Sequence, residues 1–259
     1  MRPVVLCFSG LDPSGGAGLQ ADIEAIGAQG AHAAVVCTAL TIQDTRRVYG
    51  FQTVDPAFLK KQADAVLADL PVAAIKCGML ATPEVAALVR EVCEAHPRLP
   101  LVLDPVLAAN SGGSLADPRM VTELASLFAR SALITPNSLE ARWLAGRDNL
   151  DEALARLHAL GAGAVLLKGG HEPGEMIQNV LSVQGDVVQT SRWPRLPHEF
   201  HGSGCTLASA IAGGLARGLP LTVAVTRAEV WLQSTLIDAD LPHVDGQAIP
   251  RRVRSEFPC

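Results

Sequence analysis

Aromatic residues make up only 4% of this 259-residue chain, with a single tyrosine, so the abundant alanine, valine and leucine must build its core. Positive charge is also scarce. Lysine and arginine number 21 against 26 acidic residues, and the formal charge of −5 argues against a nucleic-acid surface. The one basic cluster, Arg251, Arg252 and Arg254, is expected to be a solvated tail. Long apolar runs are missing: residues 33–40 and 99–103 fall far short of the ~20 that span a bilayer. No cationic flank with a long apolar segment and cleavage site marks the N-terminus, and the expected location is cytoplasmic. The six cysteines, Cys7, Cys37, Cys77, Cys93, Cys205 and Cys259, lack metal-type pairing. Three of them sit in strand-like runs where a thiol packs as a small hydrophobe. No linker-like stretch interrupts the sequence, so residues 1–259 are expected to form a single domain.

What is present is an alternation. Short, continuously apolar runs at 4–9, 33–39, 73–77, 101–103, 132–134 and 164–167 read as strands buried on both faces, as in a parallel sheet. Helical patterns lie between and after them, at 20–29, 56–67, 83–96, 118–129, 139–144 and 150–160, most announced by Pro, Asp or Ser near the first turn. The βαβα order implies an α/β fold. At 180–191 two β-type runs flank Gln-Gly-Asp and predict a hairpin. Residues 205–217 then carry one apolar face and predict a core-facing helix.

Ligands of such folds collect at the carboxyl ends of the parallel strands. These ends carry Gly10-Leu11-Asp12, Gln43-Asp44, Gly78-Met79, Asp104-Pro105-Val106, Asn137 with Glu140, and Lys168-Gly169-Gly170-His171. A Walker-type phosphate loop is excluded, because none of the four lysines, Lys60, Lys61, Lys76 and Lys168, follows the required glycine spacing. The better phosphate candidate is His201-Gly202-Ser203-Gly204-Cys205, whose glycines let N–H groups converge at a helix N-terminus carrying roughly half a positive charge. The plain alternative is a flexible turn into the helix. Asn137 and Glu140 suit either water-mediated Mg²⁺ binding or a helix cap. Asp104 suits a metal or a turn, and Lys168 a transferred negative charge or a solvated loop.

In this order, GLDPSGGAGLQADI, KCGML, VLDPV, TPNSLEA, LLKGGH and HGSGCTLASAIA resemble the hydroxymethylpyrimidine/phosphomethylpyrimidine kinases of thiamin biosynthesis, a family of the ribokinase-like superfamily. The resemblance runs from about residue 6 to 212 and implies a three-layer α/β/α sandwich around a mostly parallel sheet, usually a homodimer. It further implies ATP-dependent, Mg²⁺-assisted phosphorylation of 4-amino-5-hydroxymethyl-2-methylpyrimidine, and then of its monophosphate. By resemblance, Gln43 binds the aminopyrimidine, with Gly10, Asp22, Met79 and Val106 in the same pocket and the first glycine-rich motif lying flat against the ring. Gly202, Ser203, Gly204 and Cys205 form the anion hole, Asn137 and Lys168 meet the nucleotide, and Asp104 and Glu140 serve the metal. Cys205 stands where related sugar kinases carry an aspartate base, and a thiol at a helix N-terminus is expected to have a lowered pKa.

The sequence departs from the family where a Lys-Asn pair and a Thr usually precede the anion hole. Here the residues are Pro197-His198-Glu199-Phe200, and Asn110 replaces a common lysine. With two positive charges missing and Glu199 added, the second phosphorylation is expected to be the weaker activity. Competing expectations are a pyridoxal-type kinase and a pyrimidine-binding protein without catalysis.

Overall fold

A computed structural model describes residues 1–106 and 118–253. Asn110, Arg254 and Cys259 lie outside the described residues. In chain order the elements are β1 (Val4–Leu11), α1 (Gly18–Ala28), β2 (His32–Gln43), β3 (Val48–Thr53), α2 (Pro56–Asp69), β4 (Val72–Cys77), α3 (Pro83–Ala95), β5 (Leu101–Leu103), α4 (Pro118–Phe128), β6 (Ser131–Ile134), α5 (Ser138–Ala145), α6 (Leu150–Ala159), β7 (Ala164–Leu167), β8 (Met176–Val183), β9 (Asp186–Pro194), α7 (Ser203–Ala216) and α8 (Leu221–Ile237). The strands form one sheet in the order β3-β2-β1-β4-β5-β6-β7-β8-β9. Strands from β2 to β7 pair in parallel, and β3, β8 and β9 join antiparallel.

Alternation along β1 explains the layers. Val4, Leu6 and Phe8 face a core shared with α2 to α6, while Val5 and Cys7 face the one shared with α1, α7 and α8. Helix starts follow local chemistry: Asp55, Thr82 and Asn149 accept N–H bonds at the heads of α2, α3 and α6, and proline opens the first two. The hairpin turns at Gln184-Gly185, both with φ positive, as a two-residue turn between twisted strands requires. It is longer than the sequence pattern predicts. Strand β3 and helix α8 have no counterpart in the sequence reading. β3 is an antiparallel edge strand with a largely exposed face, so it lacks the buried apolar run used to recognise strands.

Below the switch in strand order, between β1 and β4, lies an ion pair with no solvent exposure. Lys76 of β4 donates to Asp22 of α1 at 2.7 Å and to Ser9 Oγ of β1 at 3.2 Å, and Ser209 of α7 donates to the same Asp22 oxygen at 2.6 Å. Burial works against the Lys76 ammonium, but Asp22, then Cys205 and Asp104, more than offset it and its pKa is raised. Gly78 leaves the room, since a Cβ there would crowd Ser9 Oγ and sit 2.7 Å from Lys76 Nζ.

Removing one partner strands the other's charge in the core. Lys76→Met is therefore expected to lose about 3–5 kcal/mol in urea unfolding, and adding Asp22→Leu to recover much of it. Simple addition of the two single losses would show that the pair is uncoupled.

Candidate active site

A cavity of about 230 Å³ opens at the carboxyl ends of the central strands. Its wall brings together Gly10 and Gly18 from the first motif, Gln43 at the end of β2, and Met79 and Val106 after β4 and β5. Asp104, Asn137, Glu140 and Lys168 line the adjoining wall, and Gly202, Gly204 and Cys205 present the start of α7. Two expected residues are not on this wall. Asp22 is fully buried against Lys76, so its carboxylate supports the floor instead of meeting a ligand. Ser203 lies in the first turn of α7 but is not among the lining side chains.

Most glycines of the opening motif serve a purpose other than contact with a flat ring. Gly15, with φ +74°, turns under the Gln20 side chain, and Gly16 packs against the second motif, where a Cβ on Gly16 would strike the His201 ring and one on Gly202 would strike the Gly16 carbonyl. Gly202 itself has φ +75°, which an L side chain rarely adopts. This packing seats side by side, on one wall, two loops far apart in the chain, Asp12 and His201 being 189 positions apart. Polar contacts lock it. Asp12 accepts from Ser14 N–H and Oγ and from Ala17 N–H, each at 2.8 Å, and pairs with His201 Nε2 at 2.7 Å. Burial tends to raise the Asp12 pKa, but the hydrogen bonds from His201, Ser14 and Ala17 prevail and hold it below the ordinary value.

Arg252 corrects the expectation of a solvated tail. It is 4% exposed and donates to the carbonyls of Gly15 and Gly16 and to Thr206 Oγ1, and it pairs with Glu24 at 3.2 Å. Nothing in the residues around Arg252 signals this, because a long-range clamp on backbone carbonyls has no local pattern. Lys76 was equally hidden, a lysine inside an apolar strand.

At the head of α7 no side chain caps the helix, and the first backbone bond within it runs from Thr206 N–H to Gly202 O at 2.9 Å. The preceding N–H groups are thus available to an anion. Opposite, Lys168 donates to Asp104 Oδ1 at 2.9 Å, and Thr135 donates to the same oxygen. Burial opposes both charges, yet the pair holds Asp104 below and Lys168 above their ordinary ranges. A parallel bridge sets Asn137 beside Lys168. Asn137 and Glu140 form a full capping box at α5, at 2.8 and 2.9 Å, while both still face the cavity. Burial first, and Asp104 with it, pushes Glu140 up to about 7 against the pull of Lys168.

The expected lowering of the Cys205 pKa is reversed. Desolvation at the cavity floor raises it, with Asp104 and Asp22 adding to the effect and Lys76 opposing it. The helix terminus does not overcome this, so the residue stands as a neutral thiol.

The family model described as phosphomethylpyrimidine kinase matches residues 12–248. The chain belongs to the phosphomethylpyrimidine kinase family. The hydroxymethylpyrimidine/phosphomethylpyrimidine kinase of Rhizobium meliloti is 38% identical to this family member over 248 residues, covering 93% of this chain and 92% of its own. The thiamine biosynthesis bifunctional protein ThiED of Geobacter sulfurreducens is 40% identical over 242 residues, or 91% of this chain, which spans about half (49%) of that relative's length. Among solved structures, the pyridoxal kinase from Staphylococcus aureus in complex with AMP-PCP superposes with a TM-score of 0.87 at 26% identity, covering 99% of this chain and 96% of that one. The ribokinase-like α/β fold expected from the motifs is therefore the fold observed.

Two pH-dependent outcomes follow for this family member. Alkylation of Cys205, read by mass spectrometry, should accelerate with pH up to and beyond 9, its thiol being raised above that ordinary value. A rate that levels off below pH 7 would mean a thiolate. Glu140, ordinarily 4.5 and about 7 when folded, favours the fold only while protonated, so its contribution is lost as pH rises from 4.5 to 7. In protein free of magnesium and nucleotide, Glu140→Gln should gain a few degrees of Tm over the parent across that window and then hold the gain. A pH-independent difference would refute the burial argument.

Proposed function

We propose that this protein is an ATP-dependent hydroxymethylpyrimidine/phosphomethylpyrimidine kinase of thiamin biosynthesis. The observation that carries the reading is the meeting, in one cavity, of the uncapped head of α7, the Asp104–Lys168 pair and Gln43. Gln43 offers both a donor and an acceptor to an aminopyrimidine edge. Met79 and Val106 hold the ring, and Met79 Sδ lies so close over Gly10 that a Cβ there would approach it to 3.3 Å. The transferring phosphoryl group takes the N–H groups of residues 202–205, with Lys168 and Asn137 on its nucleotide side. Charge placed in advance in a water-poor site is the main source of catalysis in such a transfer.

Magnesium fits the donors present. Among the described residues no cluster of three His, Cys, Asp or Glu could enclose a metal, but Mg²⁺ commonly needs only one or two carboxylates together with water and phosphate oxygens. Asp104 and Glu140 are that pair, and the bound ion would neutralise charge on the phosphates. The neutral Cys205 thiol is not the base. With a loose transition state the hydroxyl proton stays on its oxygen until late and then passes to an oxygen of the transferred phosphoryl group, and the monophosphate acceptor is already ionised. Homodimer assembly and a cytoplasmic location belong to the same proposal. They are supported by the exposed apolar side chains Leu40, Ile42, Tyr49 and Phe51 on β2–β3, and by the finding that no helix among the described residues is long and apolar enough to cross a membrane.

The test is ADP release with ATP, Mg²⁺ and each candidate alcohol. The pyrimidine should be converted to mono- and then diphosphate, with pyridoxal at least about 10-fold poorer in kcat/KM. Lys168→Met should cut kcat by about 100-fold and Cys205→Ser by less than about 10-fold. A better turnover of pyridoxal would favour the pyridoxal kinase reading, and no ADP with any alcohol would favour a binding protein.

A further inference from the structure

The second phosphorylation brings a phosphate of about −1.5 to −2 charge into a cavity already holding the nucleotide phosphates. The cations on the floor are engaged: Lys168 by Asp104 and, beneath it, Lys76 by Asp22. Residues 197–200 are not on the cavity wall, and Glu199 is turned aside, its side chain accepting from Gln247 and its carbonyl from Ala248 N–H. The wall carries instead Arg46 and Arg47, from the turn between β2 and β3 and three and four residues after Gln43.

That turn is built to present them. Asp44 accepts from the N–H groups of Arg46 and Arg47 and from Tyr49 Oη at 2.8–3.0 Å, and these bonds, the backbone ones first, hold its carboxyl down at about 2. The carboxylate thus staples its own turn. Gln247 N–H donates to Thr45 O at 3.1 Å and seats the turn on the loop around residues 243–247. Both guanidinium groups make their direct contacts with uncharged partners, while the Asp44 carboxylate on the same wall attracts both without a hydrogen bond to either head group. Arg46 donates to His243 Nδ1 at 2.9 Å, an uncharged nitrogen when it accepts, and Arg47 lies 4.6 Å over the Tyr49 ring.

From this geometry we infer that Arg46 and Arg47 form the binding site for the phosphate of the monophosphate substrate and set the preference between the two phosphorylation steps. The inference rests on the kinase function proposed above. Planar guanidinium forks grip a phosphate with paired hydrogen bonds, and the neutral alcohol offers them nothing comparable. The charge missing at 110 and 197–200 is supplied from the rim, so the second step is not the weak one.

The experiment compares Arg46→Gln, Arg47→Gln and the double variant, each checked for an unchanged circular dichroism spectrum. The readouts are kcat/KM for the alcohol and the monophosphate at saturating ATP, KM for ATP, and calorimetric binding of the monophosphate alone. The double variant should lower the ratio of monophosphate to alcohol efficiency by about 30-fold or more, chiefly through KM, and the double Arg→Lys variant should restore part of it. Equal losses on both substrates, no loss, or a rise in the KM for ATP in place of the monophosphate would overturn the assignment. If the parent protein phosphorylates neither substrate, the functional proposal fails on its own. Calorimetry then decides this inference: weaker monophosphate binding in the double variant supports it, and unchanged binding overturns it.

Discussion

Backbone pressed on backbone, Gly16 against Gly202, is the contact on which this site depends. It joins the loop after the first strand to the head of a helix that begins some 190 residues later. No side chain fits between them, so the glycines are a steric requirement of the junction. Such a contact gains little by itself, because two glycine loops bury little apolar surface and lose much conformational freedom. It has to be held from outside. Asp12 with His201 holds it from the cavity side, and Arg252 holds it from behind by binding the carbonyls of Gly15 and Gly16 together with Thr206. The uncapped head of α7 is oriented by that double brace.

A second layer of constraint lies below. Asp22, Lys76, Asp104 and Lys168 form two ion pairs within the central floor, and each pair ties different elements together: α1 to β4, and the end of β5 to the end of β7. Removing these charges from water is costly, and pairing returns only part of the cost. What the arrangement provides is an electrostatic setting that side chains at the surface could not maintain. In it burial raises the pKa of the Cys205 thiol and brings that of Glu140 up to about 7. Of the two pairs, Asp104–Lys168 stands on the cavity wall, whereas Asp22–Lys76 lies wholly beneath it.

How much of this was legible in the sequence depends on the range of each interaction. The buried strands, most helices and the hairpin are written in local periodicity, and they appear within a few residues of the expected bounds. The motif residues Gln43, Asp104, Asn137, Glu140, Lys168 and Gly202 do meet at one cavity, because strand ends in a parallel sheet converge by topology. Direction was not legible. Asp22 is expected in the pocket, but a rotation of about 100°, one residue along a helix, separates a pocket carboxylate from a buried one, and only the partner, Lys76, decides between them. Arg252 was read as a tail residue because basic residues near an end are usually solvated. Its ligands are carbonyls of a loop more than 230 residues earlier, which no window of sequence contains. The Cys205 pKa was misjudged for a related reason: helix position is local, whereas desolvation is a property of everything packed around it.

These ranges of interaction also separate the two kinds of positive charge in the cavity. Charge at the floor is deeply buried, paired and fixed in place by strands of the sheet, which suits a group whose position must not change between one phosphoryl transfer and the next. Charge at the rim stands on a turn between an exposed edge strand and its neighbour, makes its direct contacts with His243 and Tyr49, and is close to the residue proposed to read the pyrimidine. A kinase that accepts an alcohol and then its own product must tolerate a change of about two charge units in the same substrate. Fixed cations strong enough for the product would gain nothing from the neutral alcohol and would draw the nucleotide phosphates away from the head of α7. Placing the additional charge on a separate turn avoids that conflict, since on the proposed assignment the long arginine side chains meet the phosphate of the monophosphate only when that substrate is bound.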